Sequence, residues 1–218
     1  ALATVGFAQS ARLREAGAGI WPAYFAGHSL GEYNALSSFA GVIPLETVLE
    51  LVFHRGSTMH HLIPRDEKGR SNYRMGALRP NQFGVGDDGV REYVESVSKA
   101  SCEFLEIVNY NLAGQQYAVA GTIAGLKALK ADSARRVAEY GGKPAFMLVP
   151  GIDVPFHSTL LRKGVPEFRD KLDALLPKHI DYRGRLVGRD IPNLVAVPFE
   201  MTKEFAAKIL EVVPSERI

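Results

Sequence analysis

The order of apolar and polar runs predicts an α/β protein built from two parts. A short apolar run at 23–26 leads into the turn GHSLG at 27–31, and helix formers follow, which is a strand–turn–helix pattern. From 73 to 149 the elements follow the order β-α-β-β-α-β, the split-βαβ or ferredoxin-like arrangement. We therefore expect a core from residues 1–72 and 150–218, with a small subdomain inserted at 73–149.

The first stretch is expected to be helical on both sides of a buried strand. Apolar spacing predicts a helix over 1–15, a strand over 20–26 and a second helix over 32–40. Because the helical pattern is already under way at the first residue, we expect a segment of a longer polypeptide, with a core that is incomplete at its N-terminus. Pro44 suits the first position of a third helix, whose apolar side is Leu45, Val48, Leu49, Val52 and Met59.

The inserted subdomain is predicted from short apolar runs. Strands are expected at 75–78, 104–108, 117–120 and 145–149, and helices at 89–100 and 123–140. The polar stretch 109–116 is expected to form the hairpin between the middle strands, where Asn111 either bonds the backbone or faces the active-site cleft. Beyond the subdomain we expect a helix over 160–176, short strands at Val187 and 194–197, and a helix over 202–213.

The composition excludes several classes of function. The 26 basic and 24 acidic residues give a net charge of only +2, and no basic block alternates with aromatic residues, so nucleic acid is not an expected partner. No apolar run reaches the roughly eighteen residues that a membrane helix needs. The single cysteine, Cys102, is expected to be buried in a protein of the reducing cytoplasm, and no histidine pair has the spacing of a metal site.

Ser29 is the predicted nucleophile. A Gly-x-Ser-x-Gly sequence between a strand and a helix is typical of a nucleophile elbow, which exposes the serine hydroxyl on a tight turn. We expect glycine at 27 and 31 because a Cβ at either position would collide with a neighbouring element. The N–H of Leu30, at the start of the helix, would face an oxygen bound beside Ser29. The alternative is an ordinary strand-to-helix turn.

Arg55 and His157 are the other two candidates for catalysis or binding. Arg55 lies at the edge of the apolar side of the third helix, where its guanidinium either binds a substrate carboxylate or pairs with water or a structural carboxylate. His157 lies in the loop 150–158, which Pro150 and Pro155 restrict. Of the six histidines it best fits a general base in a fixed pose, and the alternative is a histidine bonded only for structure.

These residues belong to longer motifs that together cover most of the chain. They are GHSLGEY at 27–33, HRG at 54–56 followed by Met59, IPRDEKGRSNYRMGALRP at 63–80, EIVNYNLAGQQYAVAG at 106–121, LVPGIDVPFHSTLL at 148–161 and IPNLVA at 191–196. With them the chain resembles the malonyl-CoA acyltransferase family, and more closely the malonyl/palmitoyl transferase domain of the type I fatty acid synthases of fungi and actinobacteria. The resemblance implies an α/β-hydrolase-like parallel-sheet core with an inserted ferredoxin-like subdomain.

The resemblance also implies roles for individual residues. Ser29 would be the acylated nucleophile, His157 its base, Arg55 the clamp for the malonyl carboxylate, and the Leu30 N–H one half of the oxyanion hole. Phe156 precedes the histidine, where family members that select malonyl tend to carry phenylalanine, and it joins His28, Asn111 and Asn193 as candidate substrate contacts. The family's second oxyanion donor corresponds to a position upstream of residue 1. No clear counterpart exists for the group that orients the histidine, for which Asn193 and Asp153 are candidate substitutes.

The expected activity is acyl transfer by a Ser29–His157 dyad. Malonyl and palmitoyl groups would move between CoA and the phosphopantetheine thiol of acyl carrier protein, with no permanently bound cofactor. The expected partners are an acyl carrier protein domain and the other domains of a large oligomeric synthase, with neither nucleic acid nor membrane. One alternative is a serine thioesterase or esterase that uses Asp153 as its acid. The other is a non-catalytic docking segment of a megasynthase.

Overall fold

A computed structural model describes residues 2–19 and 21–213, which pack as two compact units. The first unit contains the described residues of Ala1–Gly56 and Phe168–Ile218, and the second is Ser57–Glu167. Ala1 of the predicted first helix and Ile20 of the predicted first strand lie outside the described residues. The second unit is larger than the predicted subdomain at 73–149, because residues 57–72 and 150–167, on either side of the predicted subdomain, also pack with it. The division into a core and an inserted subdomain at 72/73 and 149/150 stays a prediction.

The elements follow one another along the chain in this order. The helices are α1 (Leu2–Glu15), α2 (Leu30–Ser38), α3 (Leu45–His61), α4 (Asp87–Ser101), α5 (Ile123–Tyr140), α6 (Val165–Leu175), α7 (Tyr182–Arg185) and α8 (Lys203–Val212). The strands are β1 (Phe25–Ala26), β2 (Tyr73–Leu78), β3 (Leu105–Leu112), β4 (Gln116–Thr122), β5 (Phe146–Leu148) and β6 (Asp190–Ile191). Short 3-10 helices cover Pro80–Phe83 and Thr159–Gly164.

The first unit contains a parallel pair of strands, β1 and β6, in which Phe25 lies opposite Asp190. The predicted strand over 20–26 is observed only at its end, because Trp21 and Tyr24 are exposed and Pro22 has no N–H to pair. The predictions of strands at Val187 and 194–197 were wrong. The N–H groups of 189 and 190 turn back to the Leu186 carbonyl, and pairing ends at Pro192. Buried Phe25, Ala35, Ala40 and Leu186 form the core of this unit.

The second unit confirms the ferredoxin-like arrangement. Its four-stranded sheet has the order β3-β4-β2-β5, and every neighbouring pair is antiparallel. The helices α4 and α5 connect the strands and pack on the sheet through an apolar core. The most buried members of this core are Leu78, Val90, Val94, Tyr117, Val119, Leu126 and Leu129. With the parallel pair of the first unit, this sheet gives the mixed α/β fold that the sequence predicts.

Three local predictions need correction. The hairpin is shorter than 109–116, since β3 continues to Leu112 through two register shifts and pairs Tyr110 with Tyr117, so Asn111 lies in a strand. The helix predicted over 160–176 is a 3-10 helix followed by α6, because Pro166 cannot continue an α-helix from the preceding turn. Cys102 is exposed, since it ends α4 in the left-handed conformation at φ 55 before the apolar run begins.

Two further searches cover only the residues that the structure describes. Among them, no helix has the length and apolar character that a membrane crossing requires. The same residues contain no group of three or more histidine, cysteine, aspartate or glutamate side chains that could hold a metal ion.

Candidate active site

Ser29 lies between β1 and α2, on the strand–turn–helix junction that the sequence predicts. It precedes the first residue of α2, and its backbone has φ 53 and ψ −112. Residues other than glycine rarely adopt such a conformation, and it costs about 1–3 kcal/mol when the surrounding structure imposes it. Backbone strain of this kind occurs often at functional sites, so the conformation supports the nucleophile hypothesis over an ordinary turn.

The two flanking glycines have different roles. A Cβ on Gly27 would lie 2.0 Å from the Gly31 carbonyl carbon and 2.3 Å from the Glu32 nitrogen, so only glycine fits at 27. A Cβ on Gly31 would meet nothing within 4 Å. The prediction of a collision at Gly31 was therefore wrong. The backbone at Gly31 is the obstacle, and Gly27 is the residue that must lack a side chain.

Three of the four backbone N–H groups at 29–32 have acceptors among the described residues, and the fourth, that of Leu30, is placed to donate to an oxyanion. Ser29 N–H donates to Asn193 Oδ1 (3.2 Å), Gly31 N–H to the His28 carbonyl (2.9 Å) and Glu32 N–H to the Ser29 carbonyl (3.2 Å). In the part of the chain that the structure describes, Leu30 N–H has no such acceptor. It is at the positive end of α2, as a donor to an oxyanion would be.

Asn193 holds the elbow from the other side. Its Nδ2 donates to the Gly27 carbonyl (2.6 Å) and to Glu32 Oε2 (2.8 Å), and its backbone N–H donates to Glu32 Oε1 (3.2 Å). Together with the bond from Ser29 N–H, these contacts engage both ends of the amide with the turn. Sequence reasoning did not single out Glu32. Its place in GHSLGEY, together with Asn193 in IPNLVA, was the available signal.

Asp190, on β6, is a buried carboxylate beside this network. Asp190 is only 6% exposed, and its Oδ1 has no hydrogen-bond partner among the described residues. Burial, and then the negative charge of Glu32, raises the pKa of Asp190 to about 6, while the Ile191 N–H opposes the shift. The sequence analysis missed this group because a lone aspartate before Ile-Pro-Asn carries no local signal of burial.

Arg55 is half-buried on α3 in the first unit. Burial raises the pKa of the Tyr33 hydroxyl and the charge of Arg55 opposes that shift, so the guanidinium is within electrostatic reach of Tyr33. None of the ion pairs between described residues involves Arg55. The alternative that Arg55 pairs with a structural carboxylate is therefore not supported among the described residues. Arg55 stays the predicted clamp for a substrate carboxylate.

His157 occupies a tight turn in the second unit. Ser158 N–H donates to the Pro155 carbonyl (3.2 Å), and His157 has φ 62, again a conformation that favours glycine. The side chain is exposed, whereas Val154, Pro155 and Ser158 around it are buried. A strained, exposed histidine on a buried support is well suited to a general base.

Asp153, four residues before His157, pairs with Arg65. Arg65 Nη1 donates to Asp153 Oδ2 and to the Gly69 carbonyl (2.9 Å). The hydrogen bond from Arg65 lowers the pKa of Asp153 below its usual range. A carboxylate engaged in this way fixes the loop, which weakens the case for Asp153 as the acid of a hydrolase triad.

The predicted site residues divide between the two units. His28, Ser29, Leu30, Arg55 and Asn193 belong to the first, where Asn193 contacts the elbow. The others, Asn111, Phe156 and His157, belong to the second, where Asn111 is an exposed residue of β3. The Ser29–His157 dyad and the substrate contacts stay predictions.

Comparison with known proteins places the chain among acyltransferases. The family described as "Acyl transferase domain" matches residues 1–141. The chain is 37% identical to fatty acid synthase subunit beta of Saccharomyces cerevisiae over 237 aligned positions, covering 90% of this chain and 12% of that protein. It is also 37% identical to fatty acid synthase 2 of Mycosarcoma maydis, covering 94% of this chain and 6% of that protein. The chain thus spans a small part of these relatives.

Solved structures of malonyltransferases share the fold. FabD from Acinetobacter baumannii superposes with a TM-score of 0.69 at 28% identity, covering 96% of this chain and 59% of that one. The acyl-carrier-protein S-malonyltransferase from Burkholderia pseudomallei gives a TM-score of 0.66 at 29% identity, with the same coverage of 96% and 59%. Both likenesses extend over nearly all of this chain.

The elbow glycines provide a matched pair of substitutions. Gly27→Ala should lower the free energy of unfolding by about 1–3 kcal/mol, because its Cβ would overlap the backbone at Gly31. Gly31→Ala should leave it unchanged or raise it by up to about 1 kcal/mol, because the position is helical and open. Urea denaturation of the two variants measures both effects. Equal destabilisation would contradict the close approach at Gly27.

Asp190→Asn tests the buried carboxylate. A folded-state pKa near 6 means that the protonated form stabilises the fold at low pH, and that this stability is lost as the pH rises through 6. Asparagine has no such loss, so the variant should be more stable than the parent by about 1–3 kcal/mol at about pH 7.5. The advantage should shrink at about pH 5, as denaturation at both pH values would show. An advantage of the same size at both would rule out the raised pKa.

Proposed function

Because the chain belongs to the acyl transferase domain family, we propose that it transfers malonyl groups from CoA to the phosphopantetheine thiol of an acyl carrier protein. The strained Ser29 elbow, with the Leu30 N–H at the start of α2, is the observation that carries this proposal. The likeness to solved malonyltransferases supports malonyl as the acyl group. We include palmitoyl transfer in the proposal, on the resemblance to the malonyl/palmitoyl transferase domains of type I synthases.

The reaction would proceed through an acyl-serine in two symmetrical halves. Ser29 Oγ attacks the carbonyl carbon of the CoA thioester while the His157 imidazole takes its proton, and the Leu30 N–H binds the oxyanion. The C–S bond then breaks, and the imidazolium returns the proton to the departing CoA thiolate. The phosphopantetheine thiol attacks the acyl-serine in the reverse sequence, so the kinetics should be ping-pong.

Arg55 gives the site its preference for an anionic acyl group. A bidentate guanidinium–carboxylate contact is worth roughly 1.5–3 kcal/mol, equivalent to about 10- to 150-fold in the rate of malonyl transfer. A palmitoyl group has no carboxylate and gains nothing from this contact. Phe156, His28 and Asn111 are proposed as further substrate contacts, and Phe156 would favour malonyl over branched acyl groups.

The partners follow from the same proposal. Relatives that share 31–37% identity over most of this chain are named as fatty acid synthase proteins. We therefore propose an acyl carrier protein domain and the other domains of a type I fatty acid synthase as partners, within a large cytoplasmic oligomer. The substrates are CoA thioesters, and no resident cofactor enters the steps above.

Covalent labelling tests the nucleophile. After incubation with malonyl-CoA, mass spectrometry of the purified protein should find a malonyl adduct on the peptide containing Ser29. Ser29→Ala should abolish the adduct, whereas Ser37→Ala, in the helix α2 that follows the elbow, should retain it. An adduct on another residue would overturn the assignment. Rapid release of free malonate without an acceptor thiol would favour a hydrolase.

Arg55→Ala tests the clamp. Malonyl transfer should fall about 10- to 150-fold while palmitoyl transfer is retained, because only malonate presents a carboxylate. The rate of malonyl transfer by Arg55→Lys should lie between those of the parent protein and Arg55→Ala, since lysine keeps the charge without the bidentate geometry. The measurement is kcat/KM for both thioesters with each variant. Equal losses for both substrates would exclude a role in carboxylate recognition.

A further inference from the structure

The segment that carries His157 crosses one sheet of the second unit. It leaves β5, at one edge, and reaches β3, at the other edge, where Thr159 contacts Glu106. The neighbours of Glu106 on β3, Leu105 and Ile107, pack into the core beneath the helices. Because side chains alternate along a strand, Glu106 faces the side away from the helices.

Glu106 holds the chain two residues after His157. One oxygen, Oε2, accepts hydrogen bonds from both the Thr159 N–H and the Thr159 hydroxyl, each 2.9 Å long. These bonds fix the start of the 3-10 helix Thr159–Gly164 to β3, across 53 positions of sequence. A carboxylate that accepts two such bonds positions the backbone more firmly than a neutral acceptor would.

A second contact holds the chain before His157. The ion pair of Arg65 with Asp153 fixes the loop four residues upstream, and Arg65 is itself tied to the Gly69 carbonyl. The strained turn at 155–158 therefore lies between two anchored points. A residue such as His157 keeps φ 62 only when the surrounding structure imposes it, and these two contacts hold the chain on either side of the turn.

We infer that Glu106 is a positioning residue for His157, acting through Thr159, with the Arg65–Asp153 pair as the anchor on the other side of the turn. The inference rests on the proposed function, in which His157 is the base. Without the Glu106 contact the turn can relax from the left-handed conformation, and the imidazole then leaves its productive pose. A small displacement of a catalytic group is enough to lower a rate about 100-fold.

Glu106→Ala should lower kcat for malonyl transfer about 10- to 100-fold with KM little changed. Glu106→Gln should recover most of the rate, because its amide oxygen still accepts from Thr159. Glu103→Ala is the matched control, since Glu103 is a carboxylate of the same unit that bonds Thr122 Oγ1 (2.6 Å). Glu103→Ala should have the same midpoint of thermal unfolding as Glu106→Ala, but its kcat should equal that of the parent protein. A kcat for Glu106→Ala equal to that of Glu103→Ala would overturn the inference.

A measurement without substrate separates this inference from the proposed function. Hydrogen exchange of the amides at 154 and 156–160 should accelerate in Glu106→Ala and remain slow in both Glu106→Gln and Glu103→Ala. If the parent protein forms no acyl-serine, the proposed function fails, yet this readout still tests the anchor. Unchanged exchange in Glu106→Ala would refute the positioning role whatever the activity.

Discussion

The close approach of the backbones at Gly27 and Gly31 is the constraint on which the elbow depends. Any side chain at 27 would occupy the space of the Gly31 carbonyl, so the turn closes only around glycine. The turn that closes here has Ser29 at φ 53 and leads directly into α2, whose first N–H, that of Leu30, has no intrahelical acceptor because no helical turn precedes it. The same turn thus carries both the nucleophile and the oxyanion donor of the proposed reaction.

Two residues at the proposed site, Ser29 and His157, share the same physical problem. Each has a positive φ that costs about 1–3 kcal/mol, and each therefore needs interactions that offset the strain. The hydrogen bonds next to Ser29 come from Asn193, which also bonds Glu32, and those on either side of His157 come from Glu106 and Arg65.

Local patterns were enough to predict the strand–turn–helix context of Ser29 and the β-α-β-β-α-β order, since both depend on periodicity within short windows. Contacts between distant positions had no such signal. Glu32 and Asn193 are 161 positions apart and Arg65 and Asp153 are 88, so neither pair was predicted. The prediction of where β6 lies was wrong for the same reason, because Asp190–Ile191 is a strand only through its pairing with β1.

The chemistry of the elbow explains why its support is an asparagine. Its amide accepts from Ser29 N–H while donating to the Gly27 carbonyl and to Glu32. An aspartate could not donate and a lysine could not accept, so either would leave a polar group of the turn unsatisfied. A neutral side chain also adds no further charge to this network, which already contains the Glu32 carboxylate. The positive charge that would select an anionic acyl group then comes from Arg55, on a separate helix, so the proposed substrate preference can change without disturbing the elbow.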